Sequence, residues 1–283
     1  MTDVISVRSP VSGRRIAVGA VSVALLWGCS SDPIDDPVLS TTTRTPPIAI
    51  DGSFDVGEGR TLYMECSGAG SPTVILEAGD EAGVALWSQV MPDVADLTRT
   101  CAYDRAGVGL SDPATGCRGL DDLTGDLDHL LAAAEIPGPY ILVASSGGGY
   151  IASGFAADHR GAIAGVVFVD VPGPFLDPPP DLVEFLKCDA PTNIERRDYL
   201  AVEHAGWDAR AEIGDIPVTV MSVDYGQDAT LEAETTNVDV QRGWLVFSPR
   251  ATQVVVHTGH DIVGEDPQHV IDEIERVLEA TSP

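Results

Sequence analysis

Ile141-Leu142-Val143-Ala144-Ser145-Ser146-Gly147-Gly148-Gly149-Tyr150 is the stretch on which the reading of this chain turns. An apolar run suited to a buried strand enters a turn of small residues and leaves it into a helix-like segment. A serine at such a sharp turn takes strained backbone angles and projects its hydroxyl from the end of a sheet. The turn also brings strand and helix backbones close, so the positions two before and two after the serine must be small. Ala144 and Gly148 meet that demand for Ser146. Ser145 is the rival nucleophile, but it puts Val143 where a small residue is needed. A Gly-Ser-rich turn of no function competes as long as the stretch is read alone.

Outward from this turn, strand-like and helix-like runs alternate. Strands are expected at Arg60 to Cys66, Thr73 to Glu77, Arg99 to Tyr103, Tyr140 to Ala144, Ile163 to Asp170, Val218 to Val223 and Thr252 to Val256. Helical spacing is found at Leu86 to Leu97, at Leu120 to Ala134, from Ser146 to His159, and at Pro267 to Ala280. The runs at 140–144 and 163–170 are almost continuously apolar, as expected where helices cover both sheet faces. The alternation predicts an α/β class with a mostly parallel central sheet and helices on both faces. It breaks between Val171 and Asp215, where Pro172, Pro174 and Pro178 to Pro180 bar regular structure and leave room for two short helices. An insertion after a core strand is read as a short lid over the strand ends, against a solvent-side excursion without a role.

Four motifs in order resemble the α/β-hydrolase family over about residues 48 to 280. The first is the Ser146 turn, where Ala144 replaces the family's first glycine. The second, Thr73-Val74-Ile75-Leu76-Glu77-Ala78-Gly79-Asp80, resembles the strand ending in the family's oxyanion loop. That resemblance implies that the backbone N–H groups of Asp80 and Gly147 form the oxyanion hole, with the Asp80 carboxylate given no part. The third, Tyr103 to Pro113, resembles the loop after the next strand, and its Asp104-Arg105 is expected to be a buried structural pair. The fourth, Val254-Val255-Val256-His257-Thr258-Gly259-His260-Asp261, resembles the histidine loop. It implies His260 as general base, with His257 the weaker alternative.

The acid stays open at this level. The family most often carries it a few residues past the seventh strand, where Gly226 falls between Asp224 and Asp228. Asp170, ending the sixth strand, is ranked first, Asp224 second and Asp228 third, although in many relatives an aspartate at this place only braces the loop. The family's sheet order further implies that Cys66 pairs with Cys101, leaving Cys117 for Cys188.

The ends and the composition set the context. Arg8, Arg14 and Arg15 precede an apolar run from Ile16 to Trp27, and Leu26-Trp27-Gly28-Cys29 closes it. That is the layout of a signal peptide over residues 1–28. It resembles a bacterial lipobox, with Trp27 where a small residue is usual and Cys29 as the acylated residue; an ordinary secretory signal is the alternative. Residues 29–47, rich in Ser, Thr, Pro and Asp, read as a disordered tether ahead of a domain at 48–283. With Cys29 set aside, four of the five cysteines remain, an even number suited to disulfides in an oxidising compartment. The formal charge of −28 disfavours nucleic acid, and Lys187 is the only lysine. No cysteine pair has zinc-ligand spacing and the six histidines are scattered, so neither a metal nor another cofactor is expected.

The function expected from these residues is a serine hydrolase of the cell envelope, exported and lipid-anchored. It cleaves carboxylic esters of uncharged small-molecule or lipid-like substrates through an acyl-enzyme. An amidase or aminopeptidase with the same triad is the alternative enzyme, favoured for cationic amines by Glu77, Asp80 and Glu81 near the oxyanion loop. A catalytically silent binding lipoprotein is the alternative of another class.

Overall fold

The computed structural model describes residues 49–175, 178–211, 213–225 and 238–281. The expected signal peptide, Cys29, the tether at 29–47 and Asp228 lie outside the described residues. Eight strands form one sheet: β1 (Ile50–Asp55), β2 (Thr61–Ser67), β3 (Thr73–Glu77), β4 (Thr100–Tyr103), β5 (Tyr140–Ser145), β6 (Ile163–Val169), β7 (Val218–Val223) and β8 (Ala251–Val256). Their order is β1-β2-β4-β3-β5-β6-β7-β8. The pairs β1·β2 and β2·β4 are antiparallel and all the others parallel. The mostly parallel α/β sheet expected from the alternation is therefore what forms, and it is that of an α/β-hydrolase fold.

The central strands are apolar throughout because alternate side chains feed two different cores. On one face Leu142, Val166, Phe168 and Val220 pack with Leu123, Leu127, Phe155 and Trp244. On the other, Val143, Val167, Val169 and Met221 pack with Trp87, Val94, Ile274 and Val277. The first face is covered by α2 (Leu120–Ala133) and α3 (Gly148–Asp158), the second by α1 (Met91–Ala95) and the C-terminal helix Pro267–Thr281. That last helix starts at Pro267 and buries Val270, Ile271, Ile274 and Val277, one stripe at helical spacing.

Two elements depart from the sequence reading. No single helix spans Leu86 to Leu97; a 3-10 turn at Val84–Trp87 precedes the short α1. Pro92 explains the break, since a residue without an N–H is tolerated only in the first helical turn, where it sits. Strand β1 was not foreseen because it is an edge strand whose residues alternate between half-buried and exposed, with no apolar run to mark it.

The insertion between 171 and 215 carries α4 (Pro180–Phe185) and α5 (Tyr199–Asp208), the two short helices expected there. Helix α5 packs directly on α3: a side chain at Gly206 would collide with Tyr150, and Ser153 Oγ donates to Gly206 O at 2.7 Å. This is why α3 is buried from Gly148 to Ala156 although it lies outside the sheet. The disulfides join Cys66 to Cys101 and Cys117 to Cys188, the expected pairing. Cys66 faces Cys101 across β2 and β4, whereas Cys117–Cys188 ties the insertion to the loop after β4. Among the described residues, no helix is long and apolar enough to cross a membrane.

Candidate active site

Because β3 and β5 to β8 run parallel, the residues just after each emerge at one edge of the sheet, the edge where such folds bind ligands. Ser146 follows β5 with φ 48°, and its N–H donates to Val169 O at 3.0 Å. Few residues with a side chain adopt this left-handed conformation, and here the neighbouring strand holds it in place. The close packing that requires small residues around Ser146 is visible on both sides. A Cβ at Gly148 would lie 2.3 Å from Ala78 O, and one at Gly79 would lie 3.2 Å from Ser146 Cβ. Ser145 belongs to β5 and is buried, so only the serine after it stands at the turn.

His260 Nε2 lies 2.9 Å from Ser146 Oγ, and its Nδ1 lies 2.6 Å from Asp170 Oδ2. The carboxylate accepts hydrogen bonds and cannot donate them, so it selects the tautomer with the proton on Nδ1. In that tautomer Nε2 accepts from the Ser146 hydroxyl. The loop carrying His260 is itself pinned. Gly259 N–H donates to Glu265 Oε2 at 2.7 Å, and Asp261 caps the short helix Ile262–Glu265 by accepting from Gly264 N–H at 2.9 Å.

Asp170 is fully buried and has φ 47°. Its Oδ1 accepts from Val223 N–H at 3.1 Å and from Gln241 Nε2 at 2.8 Å. Its Oδ2 accepts from Tyr225 OH at 2.6 Å and from His260. A buried carboxylate is tolerable only with partners of this kind. Of the two candidate acids among the described residues, Asp170 is the one brought to His260. Asp224 follows β7 with an exposed side chain, its backbone N–H donating to Val256 O at 3.1 Å. His257 is likewise exposed beyond the end of β8. The end of β7 and the residues after it reach Asp170 through Val223 N–H and Tyr225 OH rather than supplying an acid themselves.

Asp80 follows the loop after β3 and lies directly beside Gly147. A Cβ on Gly147 would sit 2.0 Å from Asp80 Oδ1. Neither Asp80 N–H nor Gly147 N–H donates to a protein acceptor among the described residues, leaving two neighbouring donors at the side of Ser146. The Asp80 carboxylate, given no part on sequence grounds, is ion-paired at 2.5 Å with Nη1 of the buried Arg197 from the insertion.

Asp104 and Arg105 are both buried and structural, as expected, but no ion pair joins them to each other among the described residues. Asp104 instead accepts from Val84 N–H at 2.8 Å and Leu110 N–H at 2.9 Å, bracing two loops. Arg105 reaches Glu77 Oε1 at 2.5 Å, Glu195 at 2.8 Å, and the carbonyls of Ala78 and Gly79 at 2.7 and 2.6 Å. One guanidinium therefore holds the whole stretch leading to Asp80. Burial raises the pKa of the Glu77 carboxyl, and Tyr103 OH donates to it. Glu195 is buried as well, but Arg105 outweighs that burial and lowers its pKa.

The sequence reading missed Gln241, Tyr225, Glu195 and Arg197. Nothing in the spacing marks Gln241 or Tyr225, because each reaches Asp170 only through the fold. The one legible hint at Arg197 is the cation pair Arg196-Arg197 in an acid-rich chain. Among the described residues, no group of three or more His, Cys, Asp or Glu side chains is placed to hold a metal ion.

Known proteins agree with this architecture. Residues 72–191 match the model of the alpha/beta hydrolase fold family. The Bacillus subtilis (strain 168) protein YqjL is 33% identical over 103 residues, 36% of this chain and 41% of that protein. The chain spans less than half the length of the first curated relatives it matches. Among solved structures, an esterase from Thermogutta terrifontis aligns with TM-score 0.62 and 17% identity, covering 83% of this chain and 99% of that one. The enol-lactonase from Burkholderia xenovorans LB400 aligns with TM-score 0.63 and 16% identity, covering 80% and 99%. At such identities these structures speak to the fold alone. Sheet order, the family match over residues 72–191 and the solved structures agree that the chain has the α/β-hydrolase fold.

Proposed function

We propose that the protein is a serine hydrolase that cleaves carboxylic ester bonds of uncharged small-molecule or lipid-like substrates through an acyl-enzyme. The observation that carries this reading is the line from Ser146 Oγ through His260 to the buried Asp170, with contacts of 2.9 and 2.6 Å. In this mechanism His260 Nε2 takes the Ser146 proton as the hydroxyl attacks the acyl carbon. Asp170 keeps the imidazole in the required tautomer and stabilises it once it is charged. The N–H groups of Asp80 and Gly147 receive the developing oxyanion, the alcohol leaves with the proton from His260, and water releases the acid by the reverse relay. The carboxylates of Asp80 and Glu81 at the same loop support uncharged over anionic substrates. The esterase and enol-lactonase names of the structural neighbours are compatible with this chemistry.

The same proposal places the protein in the bacterial cell envelope, exported and held by acylation of Cys29. Two disulfides support an oxidising compartment. A fluorophosphonate probe followed by peptide mapping tests the chemistry, since only an activated serine is labelled; labelling at Ser146 is expected, and an unlabelled protein refutes the reading. Turnover of short p-nitrophenyl esters against aminoacyl amides separates esterase from amidase. Metabolic labelling with palmitate, lost in Cys29→Ala, tests the anchor.

A further inference from the structure

We infer that Arg197 is a positioning residue for the oxyanion donors, an inference that rests on the serine-hydrolase reading above. Its side chain is fully buried, although taking a charge out of water is costly unless it is paired. Nη1 donates to Asp80 Oδ1 at 2.5 Å, and Nη2 donates to Gly147 O at 3.0 Å. One rigid fork therefore bridges the two residues whose N–H groups face the reacting carbonyl, and these residues follow different strands, β3 and β5. The Asp80 carboxylate occupies the space that a side chain at Gly147 would need, since a Cβ there would lie 2.0 Å from Oδ1.

The rest of the guanidinium shows what sets its orientation. Nε is buried with no acceptor among the described residues. The fork is thus aimed at 80 and 147 at the expense of a third hydrogen bond, which a group placed only to satisfy its own donors would not forgo. The Tyr199 ring lies 5.0 Å from the guanidinium carbon. The backbone of Arg197 is held by Asn193, whose Oδ1 accepts from its N–H at 3.2 Å and whose Nδ2 donates to its carbonyl at 2.7 Å. Two residues earlier, Glu195 Oε1 accepts from Glu81 N–H at 2.6 Å. The insertion therefore grips the oxyanion loop at two consecutive residues, the Asp80 side chain and the Glu81 backbone. It is part of the donor geometry.

Misplacement of preorganised donors lowers transition-state stabilisation while leaving ground-state binding largely intact. Arg197→Met should therefore lose about 10²-fold in kcat on p-nitrophenyl butyrate, with KM moving less than about threefold. The affinity for a trifluoromethyl ketone, which forms the tetrahedral adduct, should fall by a similar factor. Arg197→Lys, which keeps a cation, should recover part of the loss. Asp80→Asn keeps the backbone donor and breaks the ion pair from its half-exposed side. It should lose kcat comparably, and the double variant should fall no further than the worse single one.

A folded Arg197→Met with kcat within twofold of the parent, a loss confined to KM, or additive losses with Asp80→Asn would each overturn the inference. If Arg197→Met does not fold, unchanged kcat in Asp80→Asn overturns it alone. Hydrogen exchange at residues 79–81 and 147–149 reads the clamp without turnover, and faster exchange is expected in Asp80→Asn. A wild-type protein that is not labelled at Ser146 refutes the hydrolase reading, and the exchange result still decides the clamp.

Discussion

Ser146 and Asp170 occupy equivalent places on neighbouring strands: each is the first residue past its strand, each has a left-handed backbone (φ 48° and 47°), and each N–H donates to the adjacent strand, to Val169 O and Met221 O. The parallel ladder thus runs one residue beyond β5 and β6 and holds both residues in a conformation that side chains disfavour. The turn aims both side chains off the sheet edge towards the His260 ring, 114 and 90 residues away from them in sequence. Strain of this kind persists only where surrounding bonds over-determine it.

Ser146→Ala is expected to lower kcat on short p-nitrophenyl esters by roughly 10⁵–10⁶-fold, the scale set by loss of a triad serine. Ser145→Ala should retain turnover within about tenfold, because Ser145 lies inside β5 beside the turn. Steady-state kinetics on both variants checks this, and full activity in Ser146→Ala sinks the nucleophile assignment.

Asp170→Asn should cost about 10⁴-fold in kcat with the fold intact by circular dichroism, since an amide favours the wrong imidazole tautomer. Asp224→Asn should be near neutral, its side chain being exposed. Tyr225→Phe removes one hydrogen bond to Asp170 Oδ2 and is expected to cost about tenfold. A dead Asp224→Asn beside an active Asp170→Asn would make Asp170 a structural brace.

Glu203 sits on α5, and its pKa is pushed up to about 7, chiefly by burial, with Arg197 pulling it down and Asp80 up. Its folded pKa lies above the unfolded value, so the folded state holds the extra proton and is favoured at low pH. Stability contributed this way is full below about pH 4.5 and is lost as pH rises towards 7. Glu203→Gln should flatten this part of the stability–pH curve and raise stability at pH 8 by on the order of 2–3 kcal/mol. Urea unfolding at pH 5 and pH 8 measures it; an unchanged slope would falsify the assignment.

Replacing Cys117 and Cys188 together by serine should lower stability by about 2–4 kcal/mol, since the bridge spans 71 residues of chain. The Cys66–Cys101 bridge spans 35 residues and joins strands already paired in the sheet. Denaturant midpoints of the two double variants, with peptide mapping under non-reducing conditions, check both the magnitude and the pairing.

Local pattern alone made most of the fold legible. Strands β3 and β7 lie at the residues expected, because a run buried on both faces has no polar interruption to blur its ends. The turn around Ser146 was equally legible, because close approach of strand and helix restricts side-chain size at particular positions. The edge strand β1 was not, and α1 was shortened by Pro92, since partial burial and a single proline leave weaker marks than a continuous apolar run.

What the sequence by itself determined is the class of the fold and the short-range geometry at Ser146, both consequences of residue size and apolar spacing over a few positions. Only the tertiary structure separated Asp170 from Asp224, because each follows an apolar strand and they differ in burial and in which one lies within hydrogen-bonding distance of His260. It alone decided that Arg105 binds Glu77 and Glu195 rather than Asp104, and that Arg197 reaches across 117 residues to Asp80. Buried charges take whichever partners the packing brings within hydrogen-bonding distance, and spacing along the chain carries no record of that distance.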